Sequence, residues 1–131
     1  MDKLTFYFDR NLGRRMPEAL IHLRAPFDVR WHTGEKFPDN MPDDEWMPIV
    51  GGKGWIVLSQ DFKFHKPEFE YEAVKQHSIK CFYLPDATAR TWKTLCALAR
   101  SHERMMERCL STPAPFIFKL NSNGRLSQIK L

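Results

Sequence analysis

Short apolar runs alternate with stretches whose apolar residues recur every three or four positions. Leu4 to Phe8 is an aromatic, β-favouring run and predicts a strand. From Asn11 to Leu23, the residues Leu12, Met16, Ala19, Leu20 and Leu23 repeat at helical spacing, so an amphipathic helix is expected up to Pro26. FDVRW (27–31) alternates as a second strand. The stretch 32–42, with Gly34, Pro38, Asn40 and Pro42, predicts a loop. Asp43 then stands where a helix N-cap belongs, with acids in the first turn and glycines at the end, and Pro48 inside predicts a kink or an early stop. WIVLS (55–59) is nearly all apolar, as a strand covered on both faces would be. A helix over 66–78, a strand over 80–84 and a long helix over 87–110 follow. FIFKL–NSNG–RLSQIKL closes the chain as a hairpin turning at its Asn-Gly pair.

Strands that alternate with helices imply βαβ units and a mainly parallel sheet. The 131 residues show no repeat and no linker, so one α/β domain over 1–131 is expected. With 43% hydrophobic and 27% charged residues the chain reads as an ordinary globular protein. No apolar run approaches the roughly 20 residues that span a bilayer, and MDKLTFYFDRN does not read as a signal peptide, so a cytoplasmic protein without membrane partners is expected. Cys81, Cys96 and Cys109 form no CxxC pair and are expected to be inert thiols.

The net charge of +4 conceals an asymmetry. Residues 1–74 carry 10 Lys/Arg against 13 Asp/Glu, and residues 75–131 carry 10 against 3. An acidic front and a basic back suit a protein that handles a cation and a polyanion; a solvated basic helix accounts for the second half equally well.

The acids gain meaning from the order of the elements. If the first and third strands are parallel, Asp9 and Asp61 both follow their carboxyl ends, the edge where open α/β sheets bind ligands. The helix begun by Asp43 precedes the third strand and runs back along it, which returns its N-terminus to that edge. Each acid alone has a plain alternative: helix caps at Asp9 and Asp43, a turn residue at Asp61. Together they would repel one another unless a cation intervened, and such hard oxygen ligands suit Mg²⁺ or Mn²⁺ better than zinc. Arg10, Arg14, Arg15, Lys63 and Lys66 lie near in sequence as phosphate contacts or ordinary surface charges. Trp46 is expected to pack in the core, and His32 and His65 to be surface residues or, less readily, substrate contacts.

FYFDRNLG, PDDEWMPIVGGKGWIVLSQDFKF and the closing hairpin together resemble the PIN-like fold, specifically the VapC-like branch of toxin–antitoxin modules. The resemblance covers nearly the whole chain through D-x-N-L, D-x-x-W and S-x-D. It implies a three-layer α/β/α sandwich with a mainly parallel central sheet and a C-terminal β-hairpin. It also implies a metal-dependent endoribonuclease, the toxin of a pair, in which Asp9, Asp43 and Asp61 hold Mg²⁺ or Mn²⁺. Ser59 would be the hydroxyl before the last acid, and Asn11 would lie near the first. RNA would be the substrate and a cognate antitoxin the partner, with homodimerisation left open. Many PIN domains carry a further acid two positions beyond the third; here Lys63 stands there, and Asp44 and Glu45 are the candidates to compensate or merely to favour the helix N-terminus.

Two other readings compete. A catalytically degenerate PIN-like module would bind RNA or protein through the basic half. A phosphoacceptor receiver domain also gathers acids at strand ends, but Asp9 is followed by Arg10 instead of a second acid, and FYLPD lacks a following lysine.

Overall fold

The apolar runs pair into one twisted sheet whose two faces are both covered. A computed structural model describes residues 4–60, 67–85 and 91–131. Its strands are β1 (Thr5–Phe8), β2 (Asp28–Trp31), β3 (Ile56–Gln60), β4 (Lys80–Leu84), β5 (Phe116–Leu120) and β6 (Leu126–Ile129). Its helices are α1 (Arg15–His22), α2 (Asp43–Gly52), α3 (Pro67–Gln76) and α4 (Thr91–Ser111). The strand order is β2-β1-β3-β4-β5-β6, parallel from β2 through β5, with β6 antiparallel to β5.

Successive strand residues point to opposite faces, and the sequence sorts accordingly. Phe6, Phe8, Leu58, Phe82 and Phe118 bury against Met16 and Leu20 of α1 and Leu98 and Met105 of α4. Tyr7, Val57, Cys81 and Ile117 face the other way, onto Trp46, Met47 and Val50 of α2 and Val74 of α3. The result is the expected three-layer α/β/α sandwich with a C-terminal hairpin. Double coverage explains why β3 and β4 are apolar runs without polar alternation. Truncating a fully buried ring such as Phe82 would cost about 3–5 kcal/mol.

Several boundaries differ from the periodicity. The helix expected over 11–23 divides into a 3₁₀ turn at Arg10–Leu12 and α1, with Gly13 at φ 69° between them. Pro17 explains the late start of α1, because a residue without an N–H belongs in the first helical turn. Pro42, not Asp43, stands at the N-cap of α2, and Asp43 is its first residue. Pro48 lies inside α2, which neither stops nor shortens there and runs on to Gly52. At the hairpin, Gly124 donates its N–H to the Asn121 carbonyl at 2.8 Å and adopts φ 87°. The Asn-Gly pair therefore occupies the last two positions of the turn, with glycine taking the left-handed conformation.

None of the three cysteines is in a disulfide; Cys81 and Cys109 are buried and Cys96 is half-buried. Burial pushes the Cys109 thiol up to about 12, against a weaker opposing pull from Lys80. An unfolded chain releases that proton near 9.0, so stability is fully present below that pH and drains away as pH climbs towards 12. Thermal melts should show Tm falling across this window, less steeply in Cys109→Ala. Alkylation of the native protein at pH 8.5, read by peptide mass spectrometry, should label Cys96 well ahead of Cys81 and Cys109. Equal labelling of all three would contradict the packing.

Candidate functional site

The chain leaves β1 towards one side of the sheet to form β2, then returns to form β3 on the other side. Such a reversal opens a crevice beyond the carboxyl ends of the two central strands. Asp9 directly follows β1, and Ser59 lies near the end of β3. The Asp9 N–H donates to the Leu58 carbonyl at 2.9 Å, tying the first acid to β3.

The Asp9 carboxylate is held from two sides. One oxygen accepts from the Arg10 N–H at 2.6 Å, which caps the 3₁₀ turn. The other accepts from Ser59 Oγ at 3.1 Å. Asn11 Nδ2 in turn donates to Ser59 Oγ at 3.3 Å, so the hydroxyl is oriented by one neighbour to serve the other. Burial raises the Asp9 pKa above the usual carboxylate value, and the charge of Asp43 raises it further. The Arg10 N–H, the Ser59 hydroxyl and the Arg10 charge act against this shift but do not cancel it.

Asp43 reaches the same rim because α2 runs back along β3. Its 10 residues rise about 15 Å, close to the length of a five-residue strand. The carboxylate does not cap the helix backbone. One oxygen accepts from the Trp46 indole Nε1–H at 2.9 Å, while the ring itself is buried against Tyr7 at 5.2 Å between centroids. Trp46 thus packs the core, as expected, and also orients an acid, a role that the helical spacing of D-x-x-W does not announce. Arg10 Nη2 lies 3.6 Å from the same Asp43 oxygen.

The rest of Arg10 is committed to the loop before α2. Its Nη1 donates to the carbonyls of Asp39 at 2.6 Å and Met41 at 2.8 Å. Arg14 is exposed and lies 4.0 Å from Glu18, and Arg15 is exposed. Asp44 and Glu45 are exposed on the first turn of α2. His32 departs from expectation: it is neither on the surface nor open to substrate but buried. Its Nε2 donates to the Pro38 carbonyl at 2.7 Å, and its Nδ1 accepts from the Tyr7 hydroxyl at 2.8 Å. Burial raises the Tyr7 pKa, which keeps the phenol a donor. Asp61, Lys63, His65 and Lys66 lie outside the described residues.

Among the described residues no three His, Cys, Asp or Glu side chains form a metal-holding group; the rim there has two acids, Asp9 and Asp43. Their chemistry nonetheless fits a hard divalent ion. The donors are carboxylate oxygens with a hydroxyl behind them, and burial, with the Asp43 charge added, disfavours the Asp9 anion in a way that a cation would relieve.

A model of the PIN-like domain family matches residues 4–86, from the residue before β1 to just beyond β4. No curated protein and no solved structure matches the chain. The matched span takes in both acids of the described rim, the Ser59 hydroxyl that holds Asp9 and the strand crossing that brings the acids together, and it covers more than half of the sequence. The chain belongs to the PIN-like domain family.

Proposed function

We propose that this protein is a metal-dependent endoribonuclease that cuts RNA phosphodiesters at the rim formed by Asp9, Asp43 and Asp61. PIN-like domains are generally nucleases that use divalent metals. One observation carries the reading to this chain. Asp9, pinned by Ser59 and the Arg10 N–H at the crevice between β1 and β3, stands above its ordinary pKa because it is buried and, to a lesser degree, because of the charge of Asp43.

Asp9 and Asp43 would hold Mg²⁺ or Mn²⁺, with Asp61 as the third ligand inferred from sequence. When bound, such an ion supplies positive charge that favours ionisation of a water and offsets charge building on the phosphate oxygens. The chain's own contribution is orientation. Ser59 fixes one oxygen of Asp9, Trp46 fixes one oxygen of Asp43, and neither carboxylate is free to turn away from the rim. Arg10, near Asp43, adds a fixed positive charge beside the crevice.

A toxin role with a cognate antitoxin, acting in the cytoplasm, is the finer form of this proposal. It rests on the order and spacing of the VapC-like motifs. No helix among the described residues is long and apolar enough to cross a membrane. Two observations favour the catalytically degenerate alternative: Arg10 already supplies a cation to Asp43, and Lys63 stands where a further acid is common.

Purified protein should cut single-stranded RNA with Mn²⁺ and stop when EDTA removes the ion. Asp9→Asn, Asp43→Asn and Asp61→Asn should each lower the rate by more than about 100-fold, beyond the 10–100-fold typical of residues that only orient ligands. Parental cleavage by any of the three removes that acid from the proposal, and a parent that never cuts leaves the degenerate reading in its place.

Trp46→Phe keeps an aromatic ring in the core while deleting the indole N–H and the five-membered part of the ring that carries it, and Ser59→Ala deletes the hydroxyl that holds Asp9. Each should raise the Mn²⁺ concentration needed for half-maximal cleavage about tenfold, with Tm changed by only a few degrees. Unchanged Mn²⁺ dependence in both variants would mean that these bonds merely support the fold.

A further inference from the structure

The basic half of the chain is not evenly charged over its surface. Arg100, Arg104 and Arg108 recur every four residues along α4, which places them on one helix face. That face meets the β5–β6 turn. Arg104 Nη2 donates to the Gly124 carbonyl at 2.5 Å and to Ser101 Oγ at 3.4 Å. A Cβ on Gly124 would come within 3.1 Å of Arg104 Nη2, so a larger residue there would push the arginine tip aside by a few tenths of an ångström. Between them opens a pocket of about 410 Å³ lined by Arg104, Arg108, Asn123 and Arg125.

Among the described residues no acid lines this pocket, and no ion pair involves Arg104, Arg108 or Arg125. Elsewhere some cations are paired: Arg10 with Asp43, Arg14 with Glu18, Arg30 with Glu35, Lys75 with Glu72. Like charges one helical turn apart repel, and a shared anion relieves that repulsion. Glu103 and Glu107 stand on the same helix but form no ion pair with these arginines among the described residues. Guanidinium groups match phosphate oxygens in a planar fork. Asn123 adds a neutral donor, because its Oδ1 is taken by the Arg125 N–H at 3.0 Å and its amide nitrogen remains to donate.

We infer that the pocket between α4 and the β5–β6 turn is a phosphate-binding site for the backbone of the RNA strand, separate from the carboxylate rim. It rests on the ribonuclease reading only for the identity of the strand. The turn follows the carboxyl end of β5, which shares its sheet edge with the carboxyl end of β1. β5 lies three strand spacings from β1, about 14 Å, a distance that a few nucleotides cover. A strand held at the arginines would therefore be presented along the edge that carries Asp9 and Asp43. The matched family region ends at residue 86, so every residue of this pocket lies beyond it.

The test is binding of a fluorescent single-stranded RNA 12-mer to the full chain in EDTA, followed by anisotropy across a salt series. Arg108→Gln with Arg125→Gln, both exposed, should weaken binding roughly tenfold or more. The double variant should also flatten the slope of log K against log salt by about 1.4, or 0.7 for each phosphate that is no longer neutralised. Arg24→Gln with Lys75→Gln, an equal loss of charge elsewhere, should leave the slope within about 0.3 of the parent. A double variant with parental affinity and slope overturns the site. So does a polyglutamate peptide that binds as tightly as RNA and is weakened as much in the variant, because the pocket would then serve an acidic polypeptide. Cleavage is absent in EDTA, so the two readings fail separately. A chain that binds through the arginines yet never cuts with Mn²⁺ sinks the nuclease alone, and one that cuts while ignoring these substitutions sinks the pocket alone.

Discussion

The parallel pairing of β1 with β3 is the constraint on which the site depends. Phe8 stands beside Leu58 in the ladder, and the next residue along each strand is Asp9 or Ser59. Their bond joins residues 50 positions apart in sequence, and it forms because the ladder register sets them side by side. A slip of one residue would turn Phe6, Phe8 and Leu58 out of one core and Tyr7 and Val57 out of the other. With both faces buried, no such slip is tolerable, so the packing of ten or more apolar side chains enforces one polar contact. The precision of the rim comes from the apolar strands beneath it.

Electrostatics then divides the molecule. At the rim, two acids are kept near each other at some cost, and the compensation comes from single directed partners: an N–H, a hydroxyl, an indole N–H and the Arg10 guanidinium. At the far end of the same sheet edge, arginines gather in a pocket that no described acid lines. Each arrangement is unfavourable alone, and each is relieved by a charge of opposite sign. The phosphodiester and divalent ion of the proposed reaction would bring both. The asymmetry along the sequence therefore has a spatial counterpart, with its basic pole built from α4 and the closing hairpin.

The architecture is legible in the sequence because each strand is a short apolar run and each helix shows its own period, so KCFYL marks β4 to the residue. Parallel order alone brings Asp9 and Asp43 to one edge. The features that periodicity misses share a cause. Periodicity reports burial, whereas caps and orienting bonds depend on where a polar atom meets one partner. Pro17 is the available signal that α1 starts late, and Pro42 the signal that Asp43 lies inside α2. His32, in a loop rich in Gly and Pro, reads as exposed, because its partners Tyr7 and Pro38 lie 25 residues before it and 6 after it, and no pattern joins them. The bulk of Trp46 correctly marks it as core, but a buried indole must also find an acceptor, and three residues earlier stands the acid that provides one.

The loop between β2 and α2 shows how a segment without regular structure comes to position a carboxylate. Two latches hold it from different layers. His32 grips the Pro38 carbonyl from within the core, and the Arg10 guanidinium grips the carbonyls of Asp39 and Met41 from the rim. Buried polar groups are costly unless paired, and both nitrogens of His32 are paired, so the inner latch has one satisfied arrangement. The outer latch starts from the residue that follows Asp9, and its remaining nitrogen approaches Asp43. One arginine therefore measures the distance between the two acids: its backbone N–H binds the first, and its side chain sets the loop that delivers the second. A loop held at one point pivots, and a loop held at two does not. The start of α2, and with it Asp43, is thereby fixed relative to Asp9 without a regular element joining them.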